Sequence, residues 1–406
     1  MRVQVSTRML PLLGGIRILD FTTIVLGPYA TRTLGDLGAD VIKVEPPQGD
    51  LFRAARPGRS RAMGAGFLGF NRNKRSVALD LKHPQSREVL DRLVLGADVV
   101  VHNMRPKSAA PLGLDYGRLA ALRPGLVYAF AAGYDQRGPN AAAPAYDDVI
   151  QAASGVAALN ANERGEPRYL PTILCDKVAG LHLAIAVAAA IARRARTGEG
   201  CCIEAPMFES MVSFLMSEQL GGATFEPPLG PTGYDRLTAP NRKPYRTRDG
   251  YLAILPYTTT HWVAFFELVG QPELAHSPRV QDPVVRSQSA DALYGLIAEA
   301  APSRTTAEWV QALRTRDIPC APVVSIGGLL DDPHLQATGF FREYEHPTEG
   351  ALRDARSPFR LHDAGENDDR PAPCVGAQSR EVLRECGYDD AAIDRLVEVR
   401  AVAEQQ

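Results

Sequence analysis

Net charge, paired cysteines, long apolar runs and internal repeats are all missing from this 406-residue chain, and each absence removes a class of function. The 45 Lys and Arg stand against 47 Asp and Glu, a formal balance of −2. The chain therefore has neither the basic footprint that nucleic acid needs nor a polybasic patch for a membrane surface, and its partner is expected to be a small molecule or another protein. The six cysteines (Cys175, Cys201, Cys202, Cys320, Cys374, Cys386) form no CxxC and no zinc spacing, so they read as reduced thiols and no metal centre is expected. The eight histidines form no HxH or HExxH, and GxSxG, GxxxxGK[ST] and HRD are absent, which removes the common hydrolase, P-loop and kinase readings. The first 15 residues carry two arginines but no apolar core, so they are not a secretory signal and a cytoplasmic location is expected. The most apolar run, Val178–Ala192, is short of the roughly 20 residues of a membrane span and contains His182; it reads as a core helix.

What is present is the texture of a globular protein: 45% hydrophobic residues, with 35 glycines and 31 prolines marking many short connections. Ile16–Phe21 reads as a strand, Pro28–Leu37 as a helix closed by Gly38, and Val41–Val44 as a second strand. Strands at Ser76–Leu81, Asp98–Val101 and Leu126–Ala131 with a helix at Ser86–Gly96 extend this βαβ unit into an α/β, doubly wound sheet. Helices are expected at Ala143–Leu159, at Asp176–Arg194 and from Met207 to about Leu220, with a strand at Cys201–Ala205. Residues 1–220 form the large domain on this reading, and the Gly- and Pro-rich stretch 221–240 is a linker. Residues 241–325 form a small α/β domain, 326–350 a second linker, and 351–406 a return to the large domain.

Gly64–Gly69 (GAGFLG) has the GxGxxG spacing of a dinucleotide fingerprint, yet a loop precedes it and a strand follows, the reverse of the required context. Asp176 stands between the apolar Tyr169–Cys175 and an alanine-rich helix. It fits either an N-cap or a poorly hydrated carboxylate able to attack an acyl carbon. Lys177 is solvated or pairs with an acyl oxygen. The acids of Tyr146-Asp147-Asp148 open a helix, where the dipole alone accounts for them.

Several motifs then coincide in order and spacing: LGGIRILDFTTIVLGPYATRTLGDLGADVIKVEPPQGD, FNRNKRSVALDLKHP, ADVVVHNMRP, GLDYGRL, AAGYDQRGP, AYDDVIQAASG, RTGEG after the alanine-rich helix, TAPNRKPYRTRDGYLAI and DDPHLQATGFF. Together they resemble the class III CoA-transferase family, of the CaiB/BaiF, formyl-CoA transferase-like type, over essentially the whole chain. The resemblance implies a Rossmann-like large domain, a smaller α/β domain, and two subunits threaded like chain links into an interlocked homodimer. It makes Asp176 the nucleophile. It puts CoA contacts on Val25 and Leu26, on Leu79, Asp80, Leu81 and Lys82, on Asn103, Met104 and Arg105, and on Tyr146 and Asp147, with Lys74 or Arg75 as further phosphate partners. CoA and acyl-CoA are then substrates, and no tightly bound cofactor is implied. Asp147 is expected to order the acceptor acid or the pantetheine arm, and backbone N–H groups near Gly27 to stabilise oxyanions.

Two positions depart from the family pattern. Pro111, within Lys107–Leu112, stands where many members carry an Arg, which leaves Lys107 as the substitute phosphate contact. Tyr146 stands where the related racemases place a His, and a phenol with a pKa near 10 is a poor base at neutral pH. Transfer of CoA between a thioester and a free carboxylic acid is therefore favoured over acyl-CoA racemisation or epimerisation, and over a non-catalytic CoA-binding role. Tyr234, Arg236, Arg242 and Arg246 either hold the distal carboxylate of a dicarboxylic acid or are solvated linker charges.

Overall fold

The computed structural model describes residues 11–362 and 369–405. The chain divides into two compact units, Met1–Leu215 with Gly339–Gln406, and Met216–Thr338. In the first, strands and helices alternate as β1 (Arg17–Phe21), α1 (Leu26–Asp36), β2 (Asp40–Glu45), α2 (Ala65–Asn71), β3 (Lys74–Leu79), α3 (Ser86–Leu95), β4 (Val99–His102), α4 (Pro106–Ala109), α5 (Tyr116–Leu122) and β5 (Val127–Phe130). Helices α6 (Asp147–Ala153), α7 (Val156–Leu159) and α8 (Leu174–Thr197) lead to β6 (Cys201–Glu204) and α9 (Met207–Gln219).

The second unit holds α10 (Asp235–Thr238), β7 (Tyr245–Arg246), β8 (Tyr251–Ile254), α11 (Thr259–Leu268), α12 (Pro278–Gln281), α13 (Pro283–Gln288), α14 (Ala290–Ala300), α15 (Thr306–Arg314), β9 (Cys320–Pro322) and α16 (Pro333–Ala337). Its antiparallel sheet, β7-β8-β9, packs on a core of Trp262, Phe265, Phe266, Ile297 and Trp309. The chain ends in the first unit with the hairpin β10 (Phe341–His346) and β11 (Gly350–Ala355), then α17 (Ser379–Glu385), α18 (Asp390–Glu398) and β12 (Val402–Ala403). The segment 326–350, expected as a linker, thus contains α16 and β10. The expected helix Ala143–Leu159 begins only at Asp147, after Pro144, and is broken at Gly155, whose φ of 93° a continuing helix does not permit.

The main sheet runs β12-β3-β2-β1-β4-β5-β6, parallel throughout except for the antiparallel edge strand β12. Its 3-2-1-4-5-6 core is the doubly wound order, in which the strand sequence reverses between β1 and β4 and leaves a crevice at the carboxyl ends of the strands. Both faces are covered, which explains why β4 and β5 read as almost unbroken apolar runs and why the charges within β1 and β2 are paired. Leu19 points into the layer of α3, α5, α17 and α18, and its neighbour Ile18 into the layer of α1 and α8. Helix α8 comes close to α1 at Gly180, where a Cβ would stand 2.7 Å from the Leu26 carbonyl oxygen. It is longer than the apolar run it contains. Its length and composition would suffice to cross a bilayer, but Val178, Ala179, Leu183, Val187 and Ile191 are buried against the protein.

Beneath the crevice lies an ionic network with almost no access to water. Lys74 Nζ donates to Asp20 at 2.9 Å, to the Pro28 carbonyl at 3.1 Å and to Asn71 at 2.9 Å. Lys43 pairs with Asp50 at 2.9 Å, and Arg53 with Glu45 at 2.6 Å. Burial, only partly offset by Asp20, lowers Lys74 to about 8; Asp20 is held well below the usual carboxylate range because Lys74 and Lys43 outweigh its own burial. Lys74 and Arg75 are therefore structural rather than phosphate contacts: Arg75 is spent on Asp40, Glu381 and Glu385. Removing one member of such a pair strands a charge in a dry interior. Lys74→Ala is expected to lose about 3–5 kcal/mol, read by chemical denaturation; a loss under 1 kcal/mol would show that water or a neighbour compensates Asp20.

Candidate active site

The crevice between β1 and β4 opens into a pocket of 320 Å³ lined by Thr23–Leu26, Asn103–Arg105, Ala131–Gly133, Tyr146, Asp176 and Met207. Four of its walls follow directly from strand ends, since the loops after β1, β4, β5 and β6 converge there, and the start of α8 supplies a fifth. Of the residues expected at the site, Val25, Leu26, Asn103, Met104, Arg105, Tyr146 and Asp176 line the pocket. Leu79, Asp80, Leu81 and Lys82 do not. Leu79 is buried in the core, Leu81 packs against it, Asp80 accepts the Lys82 N–H, and the Lys82 side chain is exposed. Lys107 is exposed in α4 and does not line the pocket, and Lys177 donates to the Thr172 hydroxyl at 2.8 Å.

The loop after β1 is held in a strained shape. Ile24, a β-branched residue, has a φ of 71°, a conformation costing on the order of 1–3 kcal/mol. Three contacts impose it: the Asp50 carboxylate accepts the Ile24 N–H at 3.1 Å, and the Asn103 amide accepts from Thr23 N–H at 2.9 Å and donates to Thr23 O at 2.8 Å. Asn103, expected to contact CoA, thus spends its side chain on clamping β1 to β4. The loop ends at α1, whose cap residue Val25 supplies no side-chain bond. First-turn N–H groups have no partner within their own helix, so those of Leu26, which lines the pocket, and of Gly27 lie at the positive end of the α1 dipole. Behind Asn103, the buried His102 accepts the Met104 N–H on Nδ1 (3.2 Å), while its Nε2 lies 2.6 Å from the Tyr128 hydroxyl, which itself donates to Leu114 O. That chain defines the Nε2–H tautomer, and burial pushes the imidazole down to about 4, so it stays neutral.

Asp176 is the third residue of α8 and not its N-cap, which is Ile173. The capping is done from another helix. Asp147, at the start of α6, accepts the N–H of Cys175 at 2.6 Å and of Asp176 at 3.2 Å through Oδ1, while Gln151 donates to its Oδ2 at 2.7 Å. The Asp147 carboxylate is thus committed to α8 rather than turned to the pocket. Asp176 itself is 8% exposed, and among the described residues no donor reaches its carboxylate. Burial first, and the neighbouring Asp147 charge second, push its pKa up to about 7, against the helix dipole that favours ionisation at this position. A carboxylate with little hydration and no hydrogen bonds to quiet it is a reactive nucleophile. Among the described residues no His, Cys, Asp and Glu side chains cluster so as to hold a metal ion. Asp147 was expected at the site, but its capping of α8 was not, and neither was any role for its partner Gln151 or for the clamp residue Asp50: the N–H groups of Cys175, Asp176 and Ile24 that Asp147 and Asp50 accept lie 26–29 residues away in sequence.

The chain belongs to the class III CoA-transferases: residues 13–379 match the CoA-transferase family III. Among similar proteins, succinyl-CoA:glutarate CoA-transferase of Mus musculus is 29% identical over 387 residues, covering 95% of this chain and 89% of that protein. Formyl-CoA:oxalate CoA-transferase of Rhodopseudomonas palustris (strain BisA53) is 29% identical, covering 95% and 96%. Among solved structures, Rv3272 from M. tuberculosis superposes with a TM-score of 0.79 at 30% identity over 92% of this chain and 99% of that one, and a CAIB/BAIF family protein from Brucella suis with a TM-score of 0.76 at 29% identity over the same shares. The protein is an enzyme of this class.

Two outcomes are expected from the Asp176 environment. Activity should rise as pH increases through about 7, where the carboxylate ionises, and Asp147→Asn should move that limb to lower pH, because the amide oxygen still caps α8 but the neighbouring charge is gone; an unmoved pH–rate profile would remove Asp147 as a perturbing charge. Stability should show the opposite sign. A carboxyl raised from 3.8 to about 7 costs the native state up to about 4 kcal/mol once ionised. Below about pH 3 folded and unfolded forms are both protonated and Asp176→Asn should be neutral, whereas the variant should gain stability progressively to pH 7 and hold it above, as read by denaturant midpoints at about pH 3 and 8.

Proposed function

We propose that Asp176 carries CoA between two carboxylic acids. Its carboxylate attacks the thioester carbonyl of the donor acyl-CoA, forming an aspartyl-acyl anhydride and expelling CoA thiolate. The thiolate attacks the aspartyl carbonyl, giving an aspartyl-CoA thioester and releasing the donor acid as its carboxylate. An acceptor carboxylate then attacks that thioester and the two steps run in reverse. One thioester replaces another, so the exchange is close to isoenergetic and consumes no other energy source. The N–H groups of Leu26 and Gly27, at the positive end of the α1 dipole, are suited to the oxyanions that form on each carbonyl.

The observation that carries this reading is the buried, donor-free carboxylate of Asp176 in a pocket at the sheet's switch point. Racemisation would need a second base of suitable pKa, and the pocket lining contains no histidine, only the exposed phenol of Tyr146. The similar proteins act, by their names, on glutarate and oxalate, which supports a small dicarboxylic acid as acceptor. The working form proposed is the interlocked homodimer. Helix α8 presents Leu181 and the 67%-exposed Ile185 one turn apart, an apolar face that a second copy of the chain would cover. Six unpaired cysteines suit the reducing cytoplasm.

The test is intact-protein mass spectrometry after incubation with a panel of acyl-CoAs and a hydroxylamine quench. Wild type should gain a hydroxamate mapped to Asp176 with productive donors, and Asp176→Asn should gain none. Binding of CoA esters with no hydroxamate for any donor would favour a racemase, if solvent deuterium enters the substrate α-carbon, or a non-catalytic binder if it does not.

A further inference from the structure

The second compact unit contains a cavity of its own, of 250 Å³, whose charge is one-sided. Two half-buried arginines, Arg236 and Arg286, line it, and no aspartate or glutamate does. Among the described residues neither guanidinium has a carboxylate partner. Arg236 Nε donates to the Tyr294 hydroxyl at 2.8 Å, with its guanidinium 5.2 Å from the Tyr257 ring centre. Arg286 Nη1 is anchored on Thr259 Oγ1 at 2.8 Å and Val280 O at 2.5 Å. The acids nearest Arg286 in sequence are engaged elsewhere: Asp282 accepts the N–H groups of Val284 and Val285, and Asp291 that of Asn241. Arg242 and Arg246, equivalent candidates on sequence, do not line the cavity.

An unpaired arginine held by neutral partners keeps several N–H donors in a fixed fork, the geometry that a carboxylate matches with two bonds. Apart from Ser287, the rest of the lining is apolar or aromatic, with Pro256, Pro283, Leu293 and the exposed ring of Tyr257. Two cations, a short apolar wall and no compensating acid call for a small molecule with a methylene body and a negative group at each end. We infer that this cavity is a second binding site, separate from the Asp176 pocket, for a free short-chain dicarboxylic acid. It does not depend on the reaction assigned to Asp176.

Isothermal titration of the full-length protein in the Asp176→Asn background, with succinate and glutarate as probes and acetate and inorganic phosphate as comparators, tests this. The dicarboxylates should bind one per chain and more tightly than either comparator, and Arg236→Gln should weaken them roughly ten- to a hundredfold. Ser287 lies exposed on the cavity rim, so Ser287→Glu, which supplies an internal anion without touching the core, should suppress binding even if the arginine variant folds poorly. No binding, phosphate binding as tight as the dicarboxylates, or full binding retained in Ser287→Glu would each overturn the inference. The hydroxamate on wild-type Asp176 reports the transfer chemistry separately, so failure of one reading is distinguishable from failure of the other.

Discussion

One carboxylate, Asp147, determines where the reactive one stands. By accepting the N–H groups of Cys175 and Asp176 from across the fold, it ends the search of α8 for a cap and fixes the first turn of a 24-residue helix. The same oxygens put a negative charge close to Asp176, which adds to burial in raising that side chain to about 7. Capping and activation are therefore one arrangement: the group that stabilises the helix is the group that keeps its third residue poorly satisfied. An Asp at the N-cap itself would have spent its own oxygens on backbone donors and been a weaker nucleophile.

The opposite wall of the pocket follows the same logic of tension held by neighbours. The loop after β1 keeps Ile24 in a left-handed conformation that an isoleucine does not adopt unaided, and Asp50 and Asn103 impose it. Asp50 in turn is fixed by Lys43, which also donates to Thr22 O, so the buried ion pairs reach the loop directly. Such pairs add little net stability over an apolar core, but they aim backbone groups that an apolar core cannot aim. Their placement near the carboxyl ends of β1 and β2, with Lys74 reaching Asp20 and the Pro28 carbonyl from the first residue of β3, suits a role in orienting the loop and the α1 N-terminus rather than in holding the sheet together.

Much of this was legible in the sequence. The alternation of the largely apolar IRILDF, VIKV, DVVV and LVYAFA with helical spacings specified the doubly wound sheet, because strands buried on both faces are mostly apolar and carry a charge only where it is paired, as Asp20 and Lys43 are. Seven of the residues expected at the site do meet in one pocket, since loops after neighbouring parallel strands converge by topology. What was not legible concerns direction. Lys74 and Arg75 in the NKRS segment look like solvent-facing phosphate ligands, yet they point into the sheet layer because their partners Asp20 and Asp40 lie 54 and 35 residues away. Asp176 looked like its own cap because the true capping oxygen comes from a residue 29 positions earlier.

The two units divide their charge in a way that bears on selectivity. In the first unit the buried cations are matched: Lys74, Lys43, Arg53 and Arg72 each have a carboxylate within 3 Å, so their field is spent locally on structure. In the second, Arg236 and Arg286 border a cavity with no acid in its lining. A cation whose charge is already paired cannot gain much from an arriving anion, whereas one held only by a hydroxyl or a carbonyl can. Binding of a free dicarboxylic acid is therefore best sought at these arginines, and the chemistry of the thioester at the strained loop and the α8 N-terminus.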